Sequence, residues 1–304
     1  MHGTFFRHEA LDSGYTDADL RAAVRAGVLH RVRQGAYASA RVWVKADATS
    51  RHRILARTLL RQMPGPVALT HTSSMIERGV QTWGIDLRKV HLTRLDKGAG
   101  RVDKDAVHHE GELSETDLEQ VNGLLVVKAP RGLVEAVTIT GVQSGLVMAD
   151  SALHLGIVEA DEFTATYEAM RQWPRARVVQ LVHRLADGRA ESPGETRTRY
   201  LCWTRGLPMP ELQFRVYDEH GQLIAIVDFY WRQLGVLGEF DGRIKYGRLL
   251  KPGQEPGDVM FEEKRREDLV REVTRLPMVR FTWDQFQDPK LMASRVWKLA
   301  RRSA

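Results

Sequence analysis

The run Leu223-Ile224-Ala225-Ile226-Val227-Asp228-Phe229, followed by Leu234-Gly235-Val236-Leu237-Gly238-Glu239-Phe240-Asp241-Gly242-Arg243-Ile244-Lys245-Tyr246, decides how the second half of this chain reads. Two apolar, strand-like runs end in carboxylates, the first at Asp228 and the second at Glu239. A carboxylate beside a buried strand is costly unless something compensates it, and a divalent cation is a common compensation. If Gln233 and Leu234 form a two-residue hairpin turn, opposed residues sum to 467 and Asp228 faces Glu239. Facing residues have Cβ atoms roughly 4.5–5.5 Å apart, so two like charges there call for a bound cation or a shared proton. Asp241, two residues beyond Glu239, falls on the same face if the strand continues. Gly194-Glu195-Thr196-Arg197 reads as a helix start and adds Glu195 as a third acid. Together these acids make a physical case for Mg²⁺ or Mn²⁺ and for phosphodiester chemistry. Taken singly, each has a plainer reading: an Asp closing a strand is commonly a turn residue, and a Gly-Glu at a helix start is commonly a capping acid.

A helix with Glu, a strand ending in Asp and a strand carrying Glu-x-Asp resemble, in that order, the PD-(D/E)xK nuclease superfamily. The Glu239-Phe240-Asp241-Gly242 ending is similar to the branch related to very-short-patch repair endonucleases. The resemblance implies a restriction-endonuclease-like α/β/α domain over 189–304. In it Asp228 and Glu239 would hold the metal, with Glu195 as the helix acid. Asp241 occupies the place where the family motif has Lys, which leaves it as an outer or second-metal carboxylate, with Lys245 and, further along, Lys264 as candidate substitutes. Two readings stay open: a metal-dependent DNA endonuclease, or a nuclease fold kept without its chemistry.

The N-terminal end carries a separate signal. Thr16 with Asp19 three residues later is a capping-box variant, opening a helix whose Leu20 and Val24 form the buried stripe. Arg21 and Arg25 lie four apart on another face, and Gly27 is a natural stop. Val28-Leu29-His30-Arg31-Val32-Arg33 alternates apolar and basic, turns at Gln34-Gly35 and returns through Ala36-Tyr37-Ala38. This is the plan of a winged helix-turn-helix over 1–62, with Thr16, Arg21, Arg25, Arg31 and Arg33 expected against double-stranded DNA. Residues 1–61 hold 11 basic and five acidic side chains, so this fifth of the chain accounts for the whole net charge of +6. Such a basic segment is the electrostatic footprint of DNA binding, although charge runs often only decorate a solvated face.

The words Leu29-His30-Arg31-Val32-Arg33-Gln34-Gly35-Ala36-Tyr37, Val90-His91-Leu92-Thr93-Arg94 and Ala129-Pro130-Arg131-Gly132-Leu133-Val134-Glu135-Ala136 resemble the AbiEi-type antitoxin and regulator family. The resemblance runs to about residue 155. It implies a mixed α/β middle domain, taken as 63–188, and a regulator or antitoxin for which a cognate toxin is a candidate partner. Strands are expected at 89–93, 104–109 and 123–128, and helices at 50–63, 130–138, 145–155, 161–172 and 175–187. His71, His108, His109, His154 and His183 lack ligand spacing and read as surface or satisfied core histidines. In the tail, residues 262–271 read as a charged helix, 278–283 as a strand and 248–258 as a basic loop.

The chain of 304 residues is thus expected to be an α+β multidomain protein. With 43% apolar and 28% charged residues it shows no long apolar run, and neither a signal peptide nor a membrane span is expected. The single Cys202 excludes an internal disulfide and a cysteine-rich zinc site, which fits a reducing cytoplasm. No Gly-rich nucleotide loop is present, so nucleotide-fuelled chemistry is not expected.

Overall fold

A computed structural model describes residues 3–96, 98–242 and 256–303. The chain divides into two compact units, Met1–Arg184 and Leu185–Ala304. The boundary expected at 188/189 therefore falls near 184/185, and the one expected at 62/63 lies inside the first unit.

The first unit opens with β1 (Thr4–Phe6), α1 (Arg7–Asp12), α2 (Asp17–Arg25), β2 (Leu29–Arg33), β3 (Ala36–Ser39) and α3 (Ala40–Lys45). The three strands form an antiparallel sheet in the order β1-β3-β2, a strand more than the hairpin read from the sequence. The capping box forms as expected: Thr16 Oγ1 accepts from Asp19 N at 3.2 Å, and Asp19 Oδ2 accepts from Thr16 N at 2.8 Å. Next comes α4 (Ala48–Gln62), whose Leu55, Ala56 and Leu59 share a core with Leu69, Val90, Leu92, Ala106 and Val126. By packing, the apolar stripe of α4 is buried mainly on the middle sheet, with Val32 of β2 against the same cluster.

That sheet has six strands in the order β6-β7-β5-β4-β9-β8. They are β4 (Val67–Leu69), β5 (Val90–Arg94), β6 (Arg101–Val102), β7 (Ala106–His109), β8 (Leu118–Val121) and β9 (Leu124–Val127). Between β4 and β5 runs α5 (His71–Glu77). After β9 come α6 (Ala129–Ile139), α7 (Val142–His154), α8 (Ala160–Ala169) and α9 (Ala176–Leu185), close to the helices read from periodicity. The short strands β6 and β8 had no clear sequence signal.

The second unit holds α10 (Pro193–Arg205), β10 (Glu211–Tyr217), β11 (Leu223–Trp231), β12 (Val236–Asp241), α11 (Pro256–Thr274), β13 (Met278–Thr282) and α12 (Pro289–Ser303). Its sheet runs β10-β11-β12-β13, with only the last pair parallel. One apolar cluster joins Leu201 and Cys202 of α10 and Met292, Ala293 and Val296 of α12 to Phe229, Trp231, Phe240 and Phe281. A second joins Val270 of α11 to Val216, Ala225, Val227, Leu237 and Met278. On β12, Leu237 and Phe240 go to different clusters, as alternation requires. On β10 and β11 the sides change between Leu212 and Val216 and between Val227 and Phe229. Gln213 sits at that change with φ +52°, a backbone state uncommon for any residue but glycine.

The expected helix 262–271 proves longer, α12 was not expected, and the loop expected at 248–258 lies outside the described residues up to 255. Among the described residues, no helix is long and apolar enough to cross a membrane.

Candidate functional site

The β11–β12 pair keeps the register deduced from sequence: Phe229↔Gly238, Tyr230↔Leu237 and Trp231↔Val236 each sum to 467. The connection differs. Arg232–Leu234 make a 3₁₀ turn and Gly235 takes φ +59°, the left-handed state that closes it at least cost in glycine. Backbone pairing stops at Phe229↔Gly238, and one step on Asp228 Oδ2 accepts the Phe240 N–H at 2.7 Å. Glu239 is drawn to the neighbouring strand and helix instead. Its carboxylate pairs with Arg280 at 3.1 Å and Arg266 at 3.0 Å, and Arg280 also reaches Glu267 at 2.9 Å. The repulsion expected between Asp228 and Glu239 is thus offset by arginines of this chain.

Glu195 is buried at the third position of α10. It accepts from Ser192 Oγ at 2.6 Å, Glu191 N at 3.0 Å and Gln213 Nε2 at 3.0 Å. Burial pushes its carboxyl above the ordinary value, against those hydrogen bonds. These partners sit at the start of α10, and Gln213 ties Glu195 to the changeover opposite Asp228. Asp241 is half-buried at the end of β12, in register with Thr282. Lys245 lies outside the described residues.

Whether these acids suit Mg²⁺ or Mn²⁺ can be judged from their partners. A hard cation needs several convergent oxygens with free lone pairs. Among the described residues, no group of three or more His, Cys, Asp or Glu side chains is placed to hold a metal ion. With Glu239 held by two guanidinium groups and Glu195 by Ser192, Glu191 and Gln213, the donor set as arranged does not fit the ion.

At the N-terminal end, Arg21, Arg25 and Arg31 are exposed and make no ion pair among the described residues. The other two expected contacts are engaged elsewhere. Thr16 commits its hydroxyl to the cap, also donating to Asp19 Oδ2 at 2.6 Å. Arg33 leans onto Asp105 at 3.6 Å, with its Nε enclosed and without a hydrogen bond. Arg7 pairs with Asp17 and Arg61 with Glu9, acids of the same segment, while Arg57 with Glu77 and Arg33 with Asp105 offset two of its six excess charges.

The structure also gathers residues that the sequence reading had set apart. His91 Nδ1 lies 2.7 Å from His109 Nε2, so one of the two nitrogens carries a hydrogen. His109 stacks on His71 with centroids 3.6 Å apart and planes at 16°. His71 has φ +50°, and its N–H donates to Glu135 Oε2 at 3.3 Å, while Arg131 Nε donates to Glu135 Oε1 at 3.0 Å. Burial, and next the charge of His109, pulls His91 down to about 3; burial, and next His108, takes His109 to about 4. His71 is lowered well below the ordinary range, by burial first. Stacked rings carry their lone pairs in parallel planes and cannot both point at one metal about 2 Å away. Spacing in sequence gives no hint of this group, because β5, β7 and the β4–α5 turn bring it together.

No family model matches the chain. It is 39% identical over 56 residues to the uncharacterized protein Rv2248 of Mycobacterium tuberculosis strain H37Rv and to the uncharacterized protein MT2308 of strain CDC 1551. Those matches cover 18% of this chain, which spans only 20% of the length of these relatives. In the crystal structure of the RV2827C protein of M. tuberculosis a similar arrangement has a TM-score of 0.39 at 12% identity, over 72% of this chain and 85% of that one.

Proposed function

We propose that this chain is a DNA-binding regulator, with β1 to β3, α1 and α2 acting as a winged helix. The observation that carries the reading is the capped helix α2, which presents Arg21 and Arg25 on one face without ion pairs and leads into a hairpin with Arg31 exposed. A helix of this kind enters the major groove while the hairpin rests on phosphates. The antitoxin-like resemblance of residues 1–155 adds operon repression, with a cognate toxin as protein partner. In this reading the second unit keeps a nuclease-like fold and contributes no cleavage.

The test is duplex binding by fluorescence anisotropy across salt concentrations, in chelator. Each phosphate that a side chain no longer neutralises lowers the salt slope by about 0.9. Arg21→Ala with Arg25→Ala should therefore lower it by about 2 if both touch phosphate, whereas Arg33→Ala should change it little. Binding that ignores all of these arginines would remove the proposal.

Metal-dependent cleavage is the second reading, favoured by a register whose continuation one step past Phe229↔Gly238 would set Asp228 opposite Glu239. It requires Glu239 to leave Arg266 and Arg280. Plasmid incubation with Mg²⁺ or Mn²⁺, wild type beside Asp228→Asn, separates the two. The regulator reading expects no cutting, and cutting that disappears in the variant would establish the nuclease.

A further inference from the structure

In the first unit a cavity of about 360 Å³ is lined by Thr72, Asp86, Lys89, His91, Gly141 and Ser144, among others. We propose that it binds a small phosphate-type oxyanion, either free phosphate or the phosphate group of a small phosphomonoester. Thr72 is 3% exposed. Its hydroxyl has no hydrogen-bond partner among the described residues, yet it is not sealed off. Thr72 lines the cavity, and its unpartnered hydroxyl is the polar group it can offer there.

The other groups have matching polarity. Lys89 is half-buried and makes no ion pair among the described residues. Its nearest acid in the lining, Asp86, is held chiefly by Arg88, so the ammonium can also take a bound anion. Gly141 is the N-cap of the 13-residue helix α7 and supplies no side chain to cap it. The first amides of α7 are thus left for a ligand, at the end of the helix dipole that favours negative charge. Ser144 adds a hydroxyl without a partner among the described residues.

Two further groups set the limits of the site. The Nδ1 contact to His109 fixes the His91 ring and leaves Nε2 as its remaining polar atom. Asp86 is the one carboxylate in the lining, and Arg88 holds it through both carboxylate oxygens at 2.9 Å. Its charge is already compensated within the chain. The volume lies near the lower end of small-molecule pockets, about 300–1,000 Å³, which suits a compact ligand better than a polyphosphate or a nucleic-acid strand.

The experiment is titration of the full chain with inorganic phosphate and, separately, glycerol 3-phosphate, at ionic strength held constant with chloride. Calorimetry and the ¹H–¹⁵N shifts of Val142, Gln143 and Ser144 would be read together. Saturable binding with shifts at those amides is expected, weakened at least tenfold by Lys89→Gln and by the near-isosteric Thr72→Val. Arg31→Ala should leave it unchanged, which separates this site from the basic N-terminal surface. Binding of either probe alone supports the proposal and tells which source supplies the anion. No saturable binding of either, or binding that both cavity variants leave intact, overturns it. Folding of Thr72→Val and Lys89→Gln is checked by the unperturbed amide shifts of β5 and α6, and Ser144→Ala replaces any variant that fails.

Discussion

Placing a methyl group at Gly194 tests whether the start of α10 is fixed against β12 as described. An ideal Cβ there would lie 2.0 Å from Cε1, 2.2 Å from Cδ1 and 2.5 Å from Cζ of Phe240. The ring has little room to yield, since it is buried with Trp283 at 4.9 Å and Phe286 at 5.7 Å between centroids. Overpacking of this kind costs about 1–3 kcal/mol. Opposing it, Gly to Ala gains at most about 1 kcal/mol of helix propensity, and less in the first turn. The clash wins, and Gly194→Ala should destabilise the second unit by about 1–2 kcal/mol. Two units need not unfold together, so hydrogen exchange on peptides covering α10 and β12 is a better assay than a single melting curve. Protection there should fall by about tenfold, since 1.4 kcal/mol is a factor of ten. In a Phe240→Ala background the same change should become neutral or slightly stabilising, which gives a coupling above about 1 kcal/mol. Unchanged protection, or an equal cost in both backgrounds, would refute the close approach of Gly194 and Phe240 and with it the placing of Glu195.

Asp228→Ala removes the acceptor of the buried Phe240 N–H and should destabilise the second unit by about 1–3 kcal/mol, whereas Asp228→Asn keeps an acceptor and should cost less than half of that; equal costs in urea titrations would argue against the 2.7 Å bond. Stability of the first unit should fall as pH drops below about 6.5. The sign follows from His91 and His109, whose folded values of about 3 and about 4 lie below the unfolded one, so that the unfolded chain binds more protons in this window. Each contributes a slope of up to about 1.4 kcal/mol per pH unit. Glu135, raised by burial, slopes the other way, so the measurement is the difference between wild type and His91→Gln from pH 7.5 to 4.5. A variant as acid-sensitive as wild type would refute the buried neutral histidine.

Local chemistry was legible in the sequence wherever the cause is local. The Thr16–Asp19 cap, the helices from 130 to 185 and the β11–β12 register depend on neighbours along the chain, on apolar period and on turn length, and the structure reproduces each closely. The pairing sum of 467 survives even though the turn is a 3₁₀ turn with a left-handed Gly235, because β12 side chains alternate between two apolar clusters and a one-residue slip would exchange them all. What a carboxylate or a histidine does is decided by groups distant in sequence. Glu239 meets Arg266 and Arg280 only once α11 and β13 are placed, and Arg33 meets Asp105 only when the N-terminal sheet adjoins the middle one. His71, His91 and His109 come together through strand order, as do Thr72, Lys89 and Ser144 around their cavity. Sequence therefore determined the middle helices, the N-terminal cap and the β11–β12 register, through short-range backbone and apolar-period physics. Tertiary structure decided which charges are compensated and which polar groups are left open, since electrostatic partnership depends on distance in space and burial.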